Sequence, residues 1–122
     1  MKITPIAVKG TDERGFVAEY LHDRAGKQLL VFTHAGKQRG RHYHKGLSAT
    51  KNPEVFFLYT GKCRLNWRNI QLGGVEESVV IEAPARVEIE PWEWHELIAE
   101  TDCIFVELNS IEEHAADTFY DA

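Results

Sequence analysis

Cysteine is scarce in this chain: Cys63 and Cys103 are the only two. Two distant cysteines make neither a disulfide framework nor the paired spacing of a zinc ribbon. Both stand among apolar neighbours in strand-like segments, so buried free thiols are expected. Long apolar runs are missing too. No stretch approaches the roughly 20 residues a membrane helix needs. The opening MKITPIAVKG lacks the apolar centre of a signal peptide. A cytoplasmic protein with no membrane partner is the expectation. Positive charge is in deficit: 14 Lys and Arg against 19 Asp and Glu leave a net charge of −5. That balance argues against general nucleic-acid binding, which needs dense cationic contact with phosphates. Linkers, low-complexity tracts and clear internal repeats are also missing. A length of 122 residues suits one domain spanning 1–122.

What is present is a series of short strand-like runs between Gly, Pro, Asn and Asp signals. They are Phe16–Leu21, Leu29–Thr33, Glu54–Thr60, Lys62–Trp67, Glu77–Ile81, Ala85–Ile89, His95–Ala99 and Ile104–Leu108. Ala85–Glu90 alternates, with Val87 and Ile89 on one face and Arg86, Glu88 and Glu90 on the other. Ile104–Leu108 puts Ile104, Val106 and Leu108 on one face and Phe105 and Glu107 on the other. Only the tail, Ile111–Tyr120, has helical character. There Ser110 can cap, and Glu113 completes a capping box. Strands without helices predict an all-β sandwich or barrel with a short C-terminal helix or tail.

The chemistry-bearing residues concentrate in three places. His42 and His44 form an H-x-H pair, which a strand points to one side. Glu54 opens the apolar run Val55–Tyr59, an unusual position for a carboxylate unless it turns inward to a partner. His95 follows the turn at Pro91 and starts a strand. Around the pair, Lys37, Arg39, Arg41 and Lys45 make a local cationic spot suited to a small anion. The other histidines have plainer readings: His22 and His34 as surface or strand residues, His114 as a solvated tail residue. Trp67, Trp92 and Trp94 read as core or rim packing, and Tyr59 has the alternative of simply filling the barrel.

His42-x-His44, then Glu54, then Gly61 after six residues, then Pro91-x-x-x-His95 resembles the two motifs of the cupins. The resemblance implies a double-stranded β-helix, or jelly-roll barrel. It also implies one divalent metal ion held by His42, His44, Glu54 and His95. Zinc, nickel, manganese, iron and cobalt all suit that donor set. Nine residues, Lys45–Pro53, separate His44 from Glu54 in place of the usual three or four. Gly46–Thr50 reads as an insertion, and Lys45–Pro53 as a loop over the site mouth.

Arg39-Gly40-Arg41-His42-Tyr43-His44-Lys45 is similar to a segment of the dTDP-sugar epimerases and 3,4-ketoisomerases of the rhamnose-pathway cupin group. It is also similar to the cupin domain of capsule-synthesis UDP-sugar reductases. Lys51-Asn52-Pro53-Glu54 and Asp12-Glu13-Arg14-Gly15-Phe16 with Glu19 extend the likeness. It implies an epimerase or isomerase of nucleotide-linked keto sugars in polysaccharide biosynthesis. His42 would be its base, Arg39 and Arg41 the sugar or phosphate contacts, and Tyr43 or Tyr59 a means of moving the proton. Two alternatives are a non-catalytic metal-containing cupin that binds a small molecule, and a metal-dependent oxygenase. A homodimer is expected from the exposed edges of a small barrel and from cupin habit.

Overall fold

The computed structural model describes residues 1–121. Among them run β1 (Lys2–Pro5), β2 (Val8–Asp12), β3 (Gly15–Ala18), β4 (Leu29–Thr33), β5 (Gln38–His42) and β6 (Glu54–Thr60). Then come β7 (Lys62–Asn69), β8 (Glu77–Glu82), β9 (Ala85–Ile89), β10 (Glu93–Ala99), β11 (Cys103–Glu107) and α1 (Ile111–Ala116). Strand makes up 53% and helix 5%, which fixes the class as all-β. One sheet has the order β1-β9-β6-β11-β4, the other β5-β10-β7-β8, and β2-β3 stand apart as a hairpin. The order departs from chain order in both sheets, as in the jelly roll of a cupin.

Side-chain alternation decides what lies between the sheets. On β6, Phe56 and Leu58 point inward; on β9, Ala85, Val87 and Ile89; on β10, Leu97 and Ala99; on β11, Cys103 and Phe105. The alternate residues Val55, Phe57, Val106 and Leu108 form a smaller cluster, with Ile6 and Tyr59 packed against it. Both cysteines are buried and free. At Gly61 the β6–β7 turn has φ +99°, and a Cβ would lie 2.3 Å from the Asp102 carbonyl oxygen, so only glycine fits.

Three strands carry no apolar alternation and are not legible in the sequence: β1, β2 and β5. β2 is exposed along its whole length. β5, with Gln38, Arg39, Gly40 and Arg41, is a polar run that exists because it pairs with β10. The segment expected as Phe16–Leu21 ends at Ala18, and β10 begins two residues earlier than expected, at Glu93. The tail helix stops at Ala116, four residues short of Tyr120. Ser110 does cap it, with both halves of the capping box formed with Glu113. It ends where Asp117 turns inward and accepts from the backbone N–H groups of Lys45 and Ser48. No helix among the described residues is long and apolar enough to cross a membrane.

Candidate active site

The R-G-R-H segment is a distortion in the β5–β10 ladder. His42 pairs with His95 and Gly40 with Glu96, so Arg41 is one residue too many on its strand. Arg41 takes φ 63° and Gly40 φ 91°. A Cβ at Gly40 would sit 2.8 Å from the His95 carbonyl oxygen, which explains the glycine. The bulge leaves the His42 ring facing the interior.

His44 and His95 meet it there. One ring nitrogen from each of the three lies within 4.8 Å of the others, and all three residues are buried. The His42 ring centroid is 5.0 Å from that of His44 and 4.9 Å from that of His95. Two of the rings are oriented by the backbone. Nδ1 of His44 donates to the Asp117 carbonyl at 2.6 Å, and Nδ1 of His95 to the Glu93 carbonyl at 2.8 Å. A carbonyl can only accept, so the hydrogen is on Nδ1 and the neutral ring presents a lone pair at Nε2. Both Nε2 atoms turn toward Glu54 Oε2, at 2.6 Å from His44 and 3.6 Å from His95. Neither His44 Nε2 nor Glu54 Oε2 has a hydrogen-bond partner; with the hydrogen on Nδ1, Nε2 has none to donate. No ring nitrogen of His42 takes part in a hydrogen bond among the described residues.

The donor set suits a divalent ion. Lone-pair nitrogens whose second nitrogen is held by a carbonyl, converging on a carboxylate with an orphaned oxygen, are how imidazole ligands are normally oriented. Burial favours the uncharged form of two of the rings: His95 is held below its ordinary pKa by burial, and His42 is lowered to about 3 by burial and by the neighbouring His95 and His44. Burial pushes the Glu54 carboxyl up, but close contact with His44 and the Lys51 ammonium outweighs it and holds it well below the usual range.

Two residues of this cluster went unread as site residues. Lys51 is fully buried, its Nζ 3.3 Å from Glu54 Oε1 and 3.0 Å from His114 Nδ1. Lys45–Pro53 is a loop outside the strands, as expected. None of its residues lines the cleft mouth, where it was expected to lie; instead it sends Lys51 into the interior. His114 is a correction: it was expected in solvent, but its ring packs 5.3 Å from His42 and 5.7 Å from His44. Burial and then Lys51 lower it to about 4. The tail folds back because Tyr43 and Phe119 pair through their backbones.

Glu107 is the third omission. It sits opposite Phe56 and on the face of β11 that carries Phe105, hence inside. The expected alternation was right, yet the charged residue is on the buried side with Phe105. Burial, and then the Glu54 charge, raise the Glu107 carboxyl to about 7.

A cleft of about 410 Å³ leads to these groups, lined by Arg39, Arg41, His42, Glu107, His114 and Tyr120. A cavity of about 40 Å³ continues it inward between His42, Glu54, His95 and Glu107. Arg39 is anchored at the lip by hydrogen bonds to Thr33 Oγ1 and the Phe32 carbonyl. Arg41 lies 3.3 Å from Glu96.

Tyr43 and Tyr59 do not join the site. Tyr43, between two inward histidines, turns the other way, stacking on Trp92 and packing at a tilt against Phe119. Tyr59 is an odd number of residues from Glu54 on β6 and so faces the opposite side. It meets Tyr20 in a separate apolar cleft with Phe16 and Val17. Spacing from the motif could not reveal this; parity along the strand could.

Residues 10–119 match the family model described as polysaccharide biosynthesis C-terminal domain. No curated protein matches the chain. Among solved structures, the dTDP-6-deoxy-D-glucose-3,5-epimerase RmlC of Legionella pneumophila, in complex with dTDP-4-keto-L-rhamnose, is 18% identical with a TM-score of 0.68. The alignment covers 97% of this chain and 70% of that one. QdtA, a sugar 3,4-ketoisomerase of Thermoanaerobacterium thermosaccharolyticum in complex with TDP, is 18% identical with a TM-score of 0.68, covering 98% and 88%. The capsular polysaccharide assembling protein CapF of Staphylococcus aureus is 17% identical with a TM-score of 0.60, and this chain covers only 34% of its length. At these identities the likeness establishes the fold.

Proposed function

The chain belongs to the polysaccharide biosynthesis C-terminal domain family, and from that premise we propose that it is a metal-supported epimerase or isomerase of nucleotide-linked keto sugars. One observation carries the reading: three imidazoles and a carboxylate converge at the inner end of a cleft with an anchored arginine at its lip. RmlC in complex with dTDP-4-keto-L-rhamnose and QdtA in complex with TDP suggest the ligand class.

In this reading His44, His95 and Glu54 hold the ion. When bound, a divalent ion polarises the sugar ketone and stabilises the enolate. His42 lines the open cleft, and no hydrogen bond commits its ring nitrogens. It removes the proton from the carbon beside the ketone, a neutral imidazole being the required form. Arg39 reaches the diphosphate with the guanidinium N–H groups its anchors leave free. Tyr43 and Tyr59 have no part.

The test is incubation with dTDP- and UDP-linked 4-keto-6-deoxyhexoses in heavy water, following deuterium at the carbon beside the ketone. Exchange is expected in the native protein and should vanish in His42→Ala. Elemental analysis should find close to one divalent ion per chain, lost in His44→Ala and kept in His42→Ala. Loss in His42→Ala would make that ring a ligand instead. Tight metal uptake with no exchange on any sugar nucleotide would favour a binding module. Arg39→Ala should weaken sugar-nucleotide binding by about 1–3 kcal/mol through one lost charged hydrogen bond. Calorimetry should show the largest effect at low salt. The reading includes a homodimer, which would cover the exposed Leu30 and Phe32 of β4 and Phe16 and Val17 of the hairpin; sedimentation at several concentrations tests it.

A further inference from the structure

The cleft has two walls. His42 stands on β5, in the four-stranded sheet. Glu107 stands on β11, in the five-stranded sheet that faces it. Both line the outer cleft, and both line the cavity that continues inward. No Lys or Arg pairs with the Glu107 carboxylate among the described residues. A half-buried carboxyl without an ion-pair partner costs stability, so its place on the inner face of β11, among the apolar residues of the core, asks for a reason that packing does not give.

Inversion at carbon supplies one. Once a proton leaves the carbon beside a ketone, that carbon is flat. A proton returned from the side it left restores the starting sugar, and one delivered from the other side inverts it. The reaction therefore needs two proton-transfer groups on opposite faces of the ring. The geometry points to Glu107 as the second catalytic residue, the acid that delivers a proton from the wall opposite His42 and makes this site an epimerase.

The inference rests on the keto-sugar reading above. In the first step the C–H bond breaks, its proton goes to the His42 ring, and the electron pair moves through carbon to the ketone oxygen. In the second, the enolate electrons return to carbon and form a C–H bond with the Glu107 proton. Glu107 is then a carboxylate and His42 an imidazolium, and proton exchange with water resets both.

Single turnovers in heavy water separate the two groups, with dTDP-4-keto-L-rhamnose and its unepimerised 4-keto precursor as probes. Glu107→Gln keeps the size and a hydrogen-bonding end but cannot act as an acid. It should retain His42-dependent deuterium entry on the original face. Formation of the inverted sugar should fall by about 10²–10⁴-fold, the usual contribution of a positioned acid. Normal inversion by Glu107→Gln would overturn the assignment and leave the keto-sugar reading intact. So would loss of inversion in Tyr120→Phe with retention in Glu107→Gln, because Tyr120 is another proton donor at the cleft. A native protein that shifts the ketone without inversion would also overturn it. A native protein that exchanges no proton in either probe would remove the keto-sugar reading, and the assignment with it. The Glu107→Gln protein is first checked for native metal content and melting temperature. If it is misfolded, Glu107→Asp serves instead; its shorter reach should slow inversion more than exchange, and equal slowing of both would overturn the assignment.

Discussion

Lys51→Met should destabilise the protein by about 3–5 kcal/mol, the range for breaking a buried ion pair by removing one partner. Methionine nearly preserves the volume, so little of this is a cavity effect. The loss arises at Glu54, which keeps its charge inside the barrel with its cation gone. Beside total stabilities of about 5–15 kcal/mol for domains in general, this is enough to unfold much of the protein at moderate temperature. Two companions isolate the cause. Adding Glu54→Gln should recover most of the loss, because no buried charge is then left uncompensated. Saturating zinc should also reduce it, since an ion held by His44, His95 and Glu54 supplies the positive charge that Lys51 gave. Urea unfolding of the native protein, Lys51→Met and the double variant, with chelator and with zinc, measures all three effects. A Lys51→Met loss under about 1 kcal/mol in chelator would mean that water or rearrangement already satisfies Glu54.

The same residue shows where the sequence stops being informative. His42, His44, Glu54 and His95 were legible because their types and order match a donor set, and because a carboxylate opening an apolar strand needs a partner. The sheets were legible where one face is apolar, as on β9 and β11. Lys51 lies in a loop of small and polar residues with no period to place it. Its burial depends on His114, 63 residues away along the chain. The histidine in turn depends on the tail returning through Asp117, whose carbonyl orients His44 and whose carboxylate ties down Lys45 and Ser48. Contacts of that range leave no trace in local pattern. β5 was hidden for a related reason: its bulge and its glycine answer to β10, not to their own neighbours. The two tyrosines were misplaced through proximity in sequence, Tyr43 sitting between two ligand candidates and Tyr59 on the strand of a third. In both cases strand parity turns them away.

Glu107→Gln should remove a large, downward step from the pH dependence of stability. The folded-state pKa of Glu107 is raised from 4.5 to about 7 by burial and the Glu54 charge. A carboxyl raised in this way binds its proton more tightly in the folded chain. Below pH 4.5 it is protonated in both states, and the stability linked to that proton is fully present. As pH rises from 4.5 toward 7 the unfolded chain ionises first, and stability falls by about 1.4 kcal/mol per pH unit. Above pH 7 both states are ionised and the loss levels off at roughly 3 kcal/mol. Glutamine does not titrate, so the native-minus-variant difference should move against the native protein by that amount between pH 4.5 and 8. The lowered His42 and His114 also shape the individual curves, with stability rising as they lose their protons. Those contributions are common to both proteins and cancel in the difference. The measurement is urea unfolding in chelator at half-unit pH steps. In zinc the step should move to lower pH, because a cation near Glu54 favours the ionised form of Glu107. A difference that stays flat from pH 4.5 to 8 would show that Glu107 is not the half-buried acid, set near the Glu54 charge, that the cleft geometry makes it.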